Sequence, residues 1–153
     1  MAQTLSNIKL HLVFSTKKRF KYIQEGVIQK RLYRYISKVC HEQGTVLEEI
    51  GGMEDHIHIM VKLSPRVSVS ELVRAIKSNT SKMMKTVDAW CGDFAWQGGY
   101  GAFSVDKSIE DKVRKYICGQ KEHHKQQTFK DEYLWLLQRD GIEYDERFLW
   151  DDG

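Results

Sequence analysis

One proline, Pro65, stands in the whole 153-residue chain, and no stretch is rich in glycine and serine or low in complexity. Nothing therefore marks a linker or a domain boundary, and no internal repeat is visible. Length alone accommodates one domain with a substantial core, so residues 1–153 read as a single domain. Three cysteines, Cys40, Cys91 and Cys118, are odd in number, scattered, and form no C-x-x-C pair. That excludes a disulfide framework and a thiolate zinc knuckle, and fits a reducing cytoplasm. No apolar run approaches the ~18 residues that span a bilayer, and the start lacks the pattern of a secretory signal. The expected location is cytoplasmic, with no membrane partner.

What the chain has is charge, unevenly placed. The formal net charge is only +3. Residues 1–40 carry nine Lys or Arg against one Glu; residues 41–127 carry twelve of each sign; residues 128–153 carry three basic and eight acidic groups. A basic first quarter suits a polyanion, and an acidic end suits a solvated surface or a cover for a basic face.

Hydrophobic period divides the chain into elements. "SNIKLHLVFS" (6–15) alternates as a first strand, and residues 25–42 carry Ile28, Leu32, Tyr35, Ile36 and Val39 on one helical stripe. "TVLEEI" (45–50) reads as a second strand, Gly51-Gly52 as a tight connection, and 54–63 as a third strand. Ser68 and Glu71 have capping-box spacing and open a helix to about residue 87. "YGAFSV" (100–105) is a fourth strand. Ser108 with Asp111 opens a last helix to about residue 125. The acidic, aromatic tail of residues 131–153 has no assigned element. The order β-α-β-β-α-β predicts an α+β fold, a ferredoxin-like four-stranded antiparallel sheet with two helices on one face and an added C-terminal helix.

The third strand, "EDHIHIMV" (54–61), sets His56 and His58 on one face and Ile57, Ile59 and Val61 on the other. A buried aliphatic face needs no imidazoles opposite it. On the added helix, Tyr116 and Gln120 are four apart and share a side. Two neutral imidazoles with a glutamine amide oxygen can hold a divalent ion, and the absence of thiolate favours the harder Mg²⁺ or Mn²⁺. Tyrosine is a covalent nucleophile once assisted, its ordinary pKa near ~10 being too high alone. Spacing leaves the bland alternatives open. An H-x-H pair also serves packing, and Ile109, Val113, Tyr116, Ile117 and Gln120 form one stripe, so Tyr116 also fits a core position. His123 and His124 diverge by about 100° on a helix and are expected at the surface.

"HIH" (56–58) on a central strand and "YICGQ" (116–120) on a later helix together resemble the single-tyrosine HUH transposases of bacterial and archaeal insertion sequences, of the IS-two-hundred type. "LHLVFSTKKR" (10–19) and "WQGGYGAFSV" (96–105) are similar to stretches of that family, and the likeness covers roughly residues 5–130. The resemblance implies that His56, His58 and Gln120 hold a divalent metal, Mg²⁺ or Mn²⁺, and that Tyr116 attacks single-stranded DNA. It implies a 5′-phosphotyrosine intermediate, a free 3′-OH and rejoining without a nucleotide cofactor. It also implies hairpin-bearing DNA as partner, and a homodimer in which the tyrosine helix of one subunit completes the histidine pair of the other. Lys17, Lys18, Arg19 and Lys21 are the first candidates for DNA contact, followed by Arg74, Lys77 and Lys82. Phe20, Tyr22, Trp96 and Tyr100 are candidates for base stacking, with Trp96 and Tyr100 fitting a core better. A domesticated relative that binds repeat hairpins would keep the same residues. An RNA-recognition module shares the fold, but "GGYGAFSV" has Gly98 where its motif needs Lys or Arg, and Ala102 interrupts the Gly-Phe step. A two-histidine phosphoesterase needs a second H-x-H or H-x-[ST] motif, and none is present.

Overall fold

The structure is a computed structural model that describes residues 2–150; Asp151 and Asp152 of the acidic tail lie outside the described residues. Four strands, β1 (Lys9–Ser15), β2 (Val46–Met53), β3 (His56–Lys62) and β4 (Gly101–Ser104), form one sheet in the order β2-β3-β1-β4, with every neighbouring pair antiparallel. This is the ferredoxin-like arrangement expected above, and β3 is an inner strand of it.

Alternation along the inner strands decides what lies on each face. Leu12 and Phe14 of β1 and Ile57, Ile59 and Val61 of β3 are buried together against α1 (Val27–Glu42), through Leu32, Ile36 and Val39, and α2 (Val69–Val87), through Leu72, Val73 and Ile76. Each of these side chains contributes about 1.5–3 kcal/mol by leaving water. Ser68 caps α2, its Oγ accepting the Glu71 N–H at 3.1 Å. Phe94 and Trp96, on the loop before β4, meet Phe14 or each other edge to face at 4.9 Å and complete this core. Trp96 is thus a core residue, and Tyr100 packs partly buried beside it.

The opposite face carries His11 and Val13 from β1, His56, His58 and Met60 from β3, and Phe103 from β4. Three later helices cover it: α3 (Glu110–Cys118), α4 (Gln120–His123) and α5 (Phe129–Arg139), with α6 (Glu146–Leu149) beyond. Ile117 packs on Met60, while Phe129, Tyr133, Leu136 and Leu137 of α5 pack on Val13 and Phe103. Arg114 ties α3 to the sheet, its Nη2 lying 2.6 Å from Glu48 and 3.2 Å from Glu110, with Lys9 bonded to the same two carboxylates.

Three local expectations are corrected. Gly51-Gly52 is not a connection: both lie within β2, and the turn falls at Glu54-Asp55. Their smallness serves close approach, because a Cβ on Gly51 would collide with the Ile117 carbonyl and one on Gly52 with the His56 carbonyl. Ser108 is not the helix cap. Asp106 stands nearer to the free N–H groups, accepts from Ser108 and starts a short 3-10 turn, and α3 then begins at Glu110. The last helix is also interrupted at Gly119 instead of running on to residue 125. The unplaced tail forms α5, whose N-cap Thr128 accepts the Asp131 N–H at 3.2 Å.

The glycine contact is testable. Gly51→Ala is expected to push the C-terminal end of α3 off β2, costing about 1–3 kcal/mol by overpacking. A melting curve measures that loss, and near-ultraviolet circular dichroism reports the displaced Tyr116.

Candidate active site

Tyr116 and Gln120 flank the break at Gly119, yet they remain on one side, and the Gln120 amide nitrogen donates to the Tyr116 carbonyl at 3.3 Å. That bond turns the Gln120 oxygen toward His56 Nε2, 3.1 Å away. On its other side, His56 Nδ1 donates to Asp55 Oδ1 at 2.7 Å, so a neutral His56 presents a lone pair at Nε2. Two acceptors facing each other across 3.1 Å call for a cation between them, a proton or a metal ion.

Further residues converge there from the tail. Glu132, on α5, is fully buried, and its Oε1 lies 2.9 Å from His58 Nε2, 3.4 Å from His56 Nε2 and 3.0 Å from His124 Nε2. His124 Nδ1 donates to the Gln127 carbonyl at 2.5 Å, which leaves its Nε2 directed at the same carboxylate. One donor atom each from His56, His58, His124 and Glu132 lies within 4.8 Å of the others, the compactness a single ion requires. Imidazole nitrogens with carboxylate and amide oxygens suit Mn²⁺ and neighbouring divalent ions. The residues therefore fit a divalent metal.

The hydroxyl of Tyr116 donates to the second oxygen of Glu132, and His123 Nε2 stands 3.5 Å from it. One carboxylate thus touches the histidine cluster with Oε1 and the tyrosine with Oε2. Burial, with the adjacent Glu132 charge and hydrogen bond, pushes the Tyr116 phenol above its ordinary pKa. Burial pushes the Glu132 carboxyl up as well, but the imidazoles of His124, His58 and His56 around it outweigh that and hold it well below the usual carboxylate range. Burial lowers His58 to about 4, keeping it neutral at pH 7.

His56 with His58, and Tyr116 with Gln120, two pairs remote from each other in sequence, are brought together within one chain. His124 corrects the expectation of a surface pair: its side chain is nearly buried against Glu132, while His123 lies at the margin. A signal for it existed, since 116, 120 and 124 continue one four-residue step. Glu132 went unrecognised because the tail had no assigned element. Its mark is a carboxylate beside the apolar stripe Phe129, Tyr133, Leu136 and Leu137.

Lys17, Lys18 and Arg19 form a single 3-10 turn directly after β1. Lys18 and Arg19 have φ of 54° and 57°, a left-handed conformation that costs a non-glycine residue about 1–2 kcal/mol each. Thr16 holds the turn, its N–H donating to the Asp55 carbonyl at 2.8 Å and its hydroxyl to the Phe20 carbonyl at 2.6 Å. The turn is therefore tied to the residue before His56. Lys21 lines a cleft of about 440 Å³ that also reaches Asp55, His124 and Phe129. Phe20 is 56% exposed beside Tyr22. Arg74 and Lys82 lie exposed on α2, behind the sheet. Lys77 is bound differently, its Nζ donating to the carbonyls of Gln97, at 2.8 Å, and Gly99.

Comparison with known proteins places this geometry in a family. The family described as "Transposase IS200 like" matches residues 4–120. The transposase of insertion sequence element IS200 from Salmonella typhimurium is 26% identical over 136 residues, 82% of this chain and 84% of its own. The ISDra2 transposase TnpA of Deinococcus radiodurans is 21% identical over 119 residues, covering 74% and 84%. Among solved structures, a protein from Deinococcus radiodurans R1 described as a transposase aligns with a TM-score of 0.62 at 18% identity, over 76% of this chain and 93% of its own. A REP-associated tyrosine transposase bound to a REP hairpin aligns with a TM-score of 0.56 at 14% identity, over 76% and 70%. At such identities the solved structures establish the fold alone, whereas the family match spans most of the chain. This protein belongs to the IS200-like transposase family.

Proposed function

We propose that the chain cleaves and rejoins single-stranded DNA through a covalent Tyr116 intermediate, with a divalent cation held by His56, His58 and Gln120 and joined by Glu132 and His124. The observation that carries this reading is the Glu132 carboxylate, which bonds the tyrosine hydroxyl with one oxygen and faces the histidines with the other. When bound, the cation would polarise the scissile phosphodiester and offset the charge that develops on its oxygens. Three imidazoles in the donor set favour Mn²⁺ over Mg²⁺.

In the cleavage step Tyr116 Oη forms a bond to phosphorus, the phenol proton passes to Glu132 Oε2, and the bond from phosphorus to the 3′ oxygen breaks as that oxygen takes up a proton from solvent. The products are a 5′-phosphotyrosine and a free 3′-OH. Rejoining reverses these bonds with a second 3′-OH, so one phosphodiester is exchanged for another and no nucleotide is consumed. The basic turn Lys17, Lys18, Arg19 with Lys21 is proposed to guide the phosphate backbone toward Asp55 and His56, and its strained backbone supports a functional role. Phe20, and Trp135 stacked near Tyr116 and 47% exposed, are proposed to receive unpaired bases. Arg74 and Lys82 would meet DNA only where it wraps behind the sheet. Lys77 tethers the loop before β4. Hairpin-bearing DNA is the proposed substrate, in keeping with the hairpin held by the REP-associated relative.

The resemblance implied a homodimer with shared sites. One chain here sets Tyr116 over its own histidines, which supports catalysis within a subunit, in a monomer or in a dimer. Covalent capture on a denaturing gel tests both points, using single-stranded oligonucleotides from the gene's flanks with Mn²⁺ or EDTA. The expected result is a Mn²⁺-dependent adduct, and none from a mixture of His56→Ala and Tyr116→Phe proteins. An adduct from the mixture would establish sites completed between subunits. A wild-type adduct in EDTA would refute the role of the metal.

A further inference from the structure

The cluster has a fourth buried imidazole with no part in the chemistry above. His11, on β1, is 3% exposed, and its Nε2 lies 2.8 Å from His58 Nδ1. We propose that His11 is a positioning residue for the metal centre. Its ring fixes His58 in the tautomer that carries a proton on Nδ1 and directs the Nε2 lone pair at the cation. This inference rests on the metal reading of the site.

The sheet builds the contact. His11 pairs with Met60 and Val13 with His58, so His11 is the diagonal neighbour of His58 on the same face. The two ring centroids lie 5.1 Å apart with planes 27° from parallel, while Phe103 at 5.8 Å and Tyr116 at 6.1 Å wall in the His11 ring. A neutral imidazole has one donor and one acceptor nitrogen. With Nε2 as acceptor, its own proton sits on Nδ1, and the His58 proton sits between the rings.

His56 is served in the same way by Asp55, through Nδ1 at 2.7 Å. Each strand histidine thus has one nitrogen engaged behind it and the other facing Glu132. Metal-binding histidines generally need such a partner, because it selects the tautomer and orients the ring. An aliphatic residue at position 11 would leave a buried imidazole nitrogen of His58 unpaired, which is costly.

The test uses the full chain and Zn²⁺, a diamagnetic ion with affinity for imidazole. Ring ¹⁵N shifts of Zn²⁺-loaded wild type are expected to show His58 protonated at Nδ1 and metallated at Nε2. By calorimetry, His11→Phe is expected to bind Zn²⁺ about 10–100-fold more weakly, with His11→Gln, whose amide oxygen can accept the same bond, restoring most of the loss. A folded His11→Phe protein with wild-type affinity, or a Gln variant as weak as Phe, would overturn the proposal. So would His58 metallated at Nδ1, a result read from wild type even if the Phe variant does not fold. Wild type that binds no Zn²⁺ would instead remove the metal reading itself, and this proposal with it.

Discussion

Tyr116→Phe is expected to abolish the covalent protein–DNA adduct, lowering its rate of formation by about 10⁴-fold or more while single-stranded DNA still binds. Removing a covalent nucleophile leaves only binding and electrostatic contributions to the reaction, and losses of that order follow. The change deletes one oxygen from a half-buried ring, so the packing of α3 is preserved. It also frees Glu132 Oε2 from its hydrogen bond. Divalent-ion affinity is therefore expected to stay equal to wild type or rise slightly, which separates loss of the proposed nucleophile from damage to the proposed metal site. Denaturing gels measure the adduct, and calorimetry measures the ion. An adduct that survives would place the nucleophile on another residue.

Glu132→Gln is expected to weaken both halves of the site together. Its carboxylate is the one anionic donor in the metal-compatible cluster. Loss of the charge is expected to lower divalent-ion affinity about 10–100-fold. The same substitution removes the proposed acceptor of the phenol proton, and adduct formation is expected to fall about 10²–10⁴-fold even at saturating Mn²⁺. The two effects are separable by titrating Mn²⁺ in the capture assay: a defect fully rescued by excess ion would mean that Glu132 binds metal and does not take the proton. Glu132→Ala is harsher, because it strips the buried imidazoles of their partner, and a loss of about 3–5 kcal/mol in the metal-free protein is expected in denaturant melts.

Much of this site was readable along the chain because its residues follow local periods. A two-residue period sets His56 and His58 on the face opposite Ile57, Ile59 and Val61, and four-residue spacing joins Tyr116 to Gln120. The strand order followed from the element order, since two helical crossovers and one hairpin leave few alternatives. Reading failed where a residue's role is set by what approaches it through space. Gly51 and Gly52 looked like turn residues, because glycine's freedom in turns is a local property, whereas room for the Ile117 and His56 carbonyls is not.

The sequence by itself determined the fold class, the histidine strand, the tyrosine helix and the family to which the chain belongs. Only the tertiary structure decided that Glu132, 74 positions beyond His58, reaches both the histidines and the tyrosine. It alone decided that His124 turns inward, that His11 backs His58 across the strands, and that one chain holds the whole set. Periodicity fixes the face on which a side chain lies, but the distance between faces of different elements is set by packing. Hydrogen bonds of about 3 Å between residues remote in sequence exist only once α3, α4 and α5 have settled on the sheet.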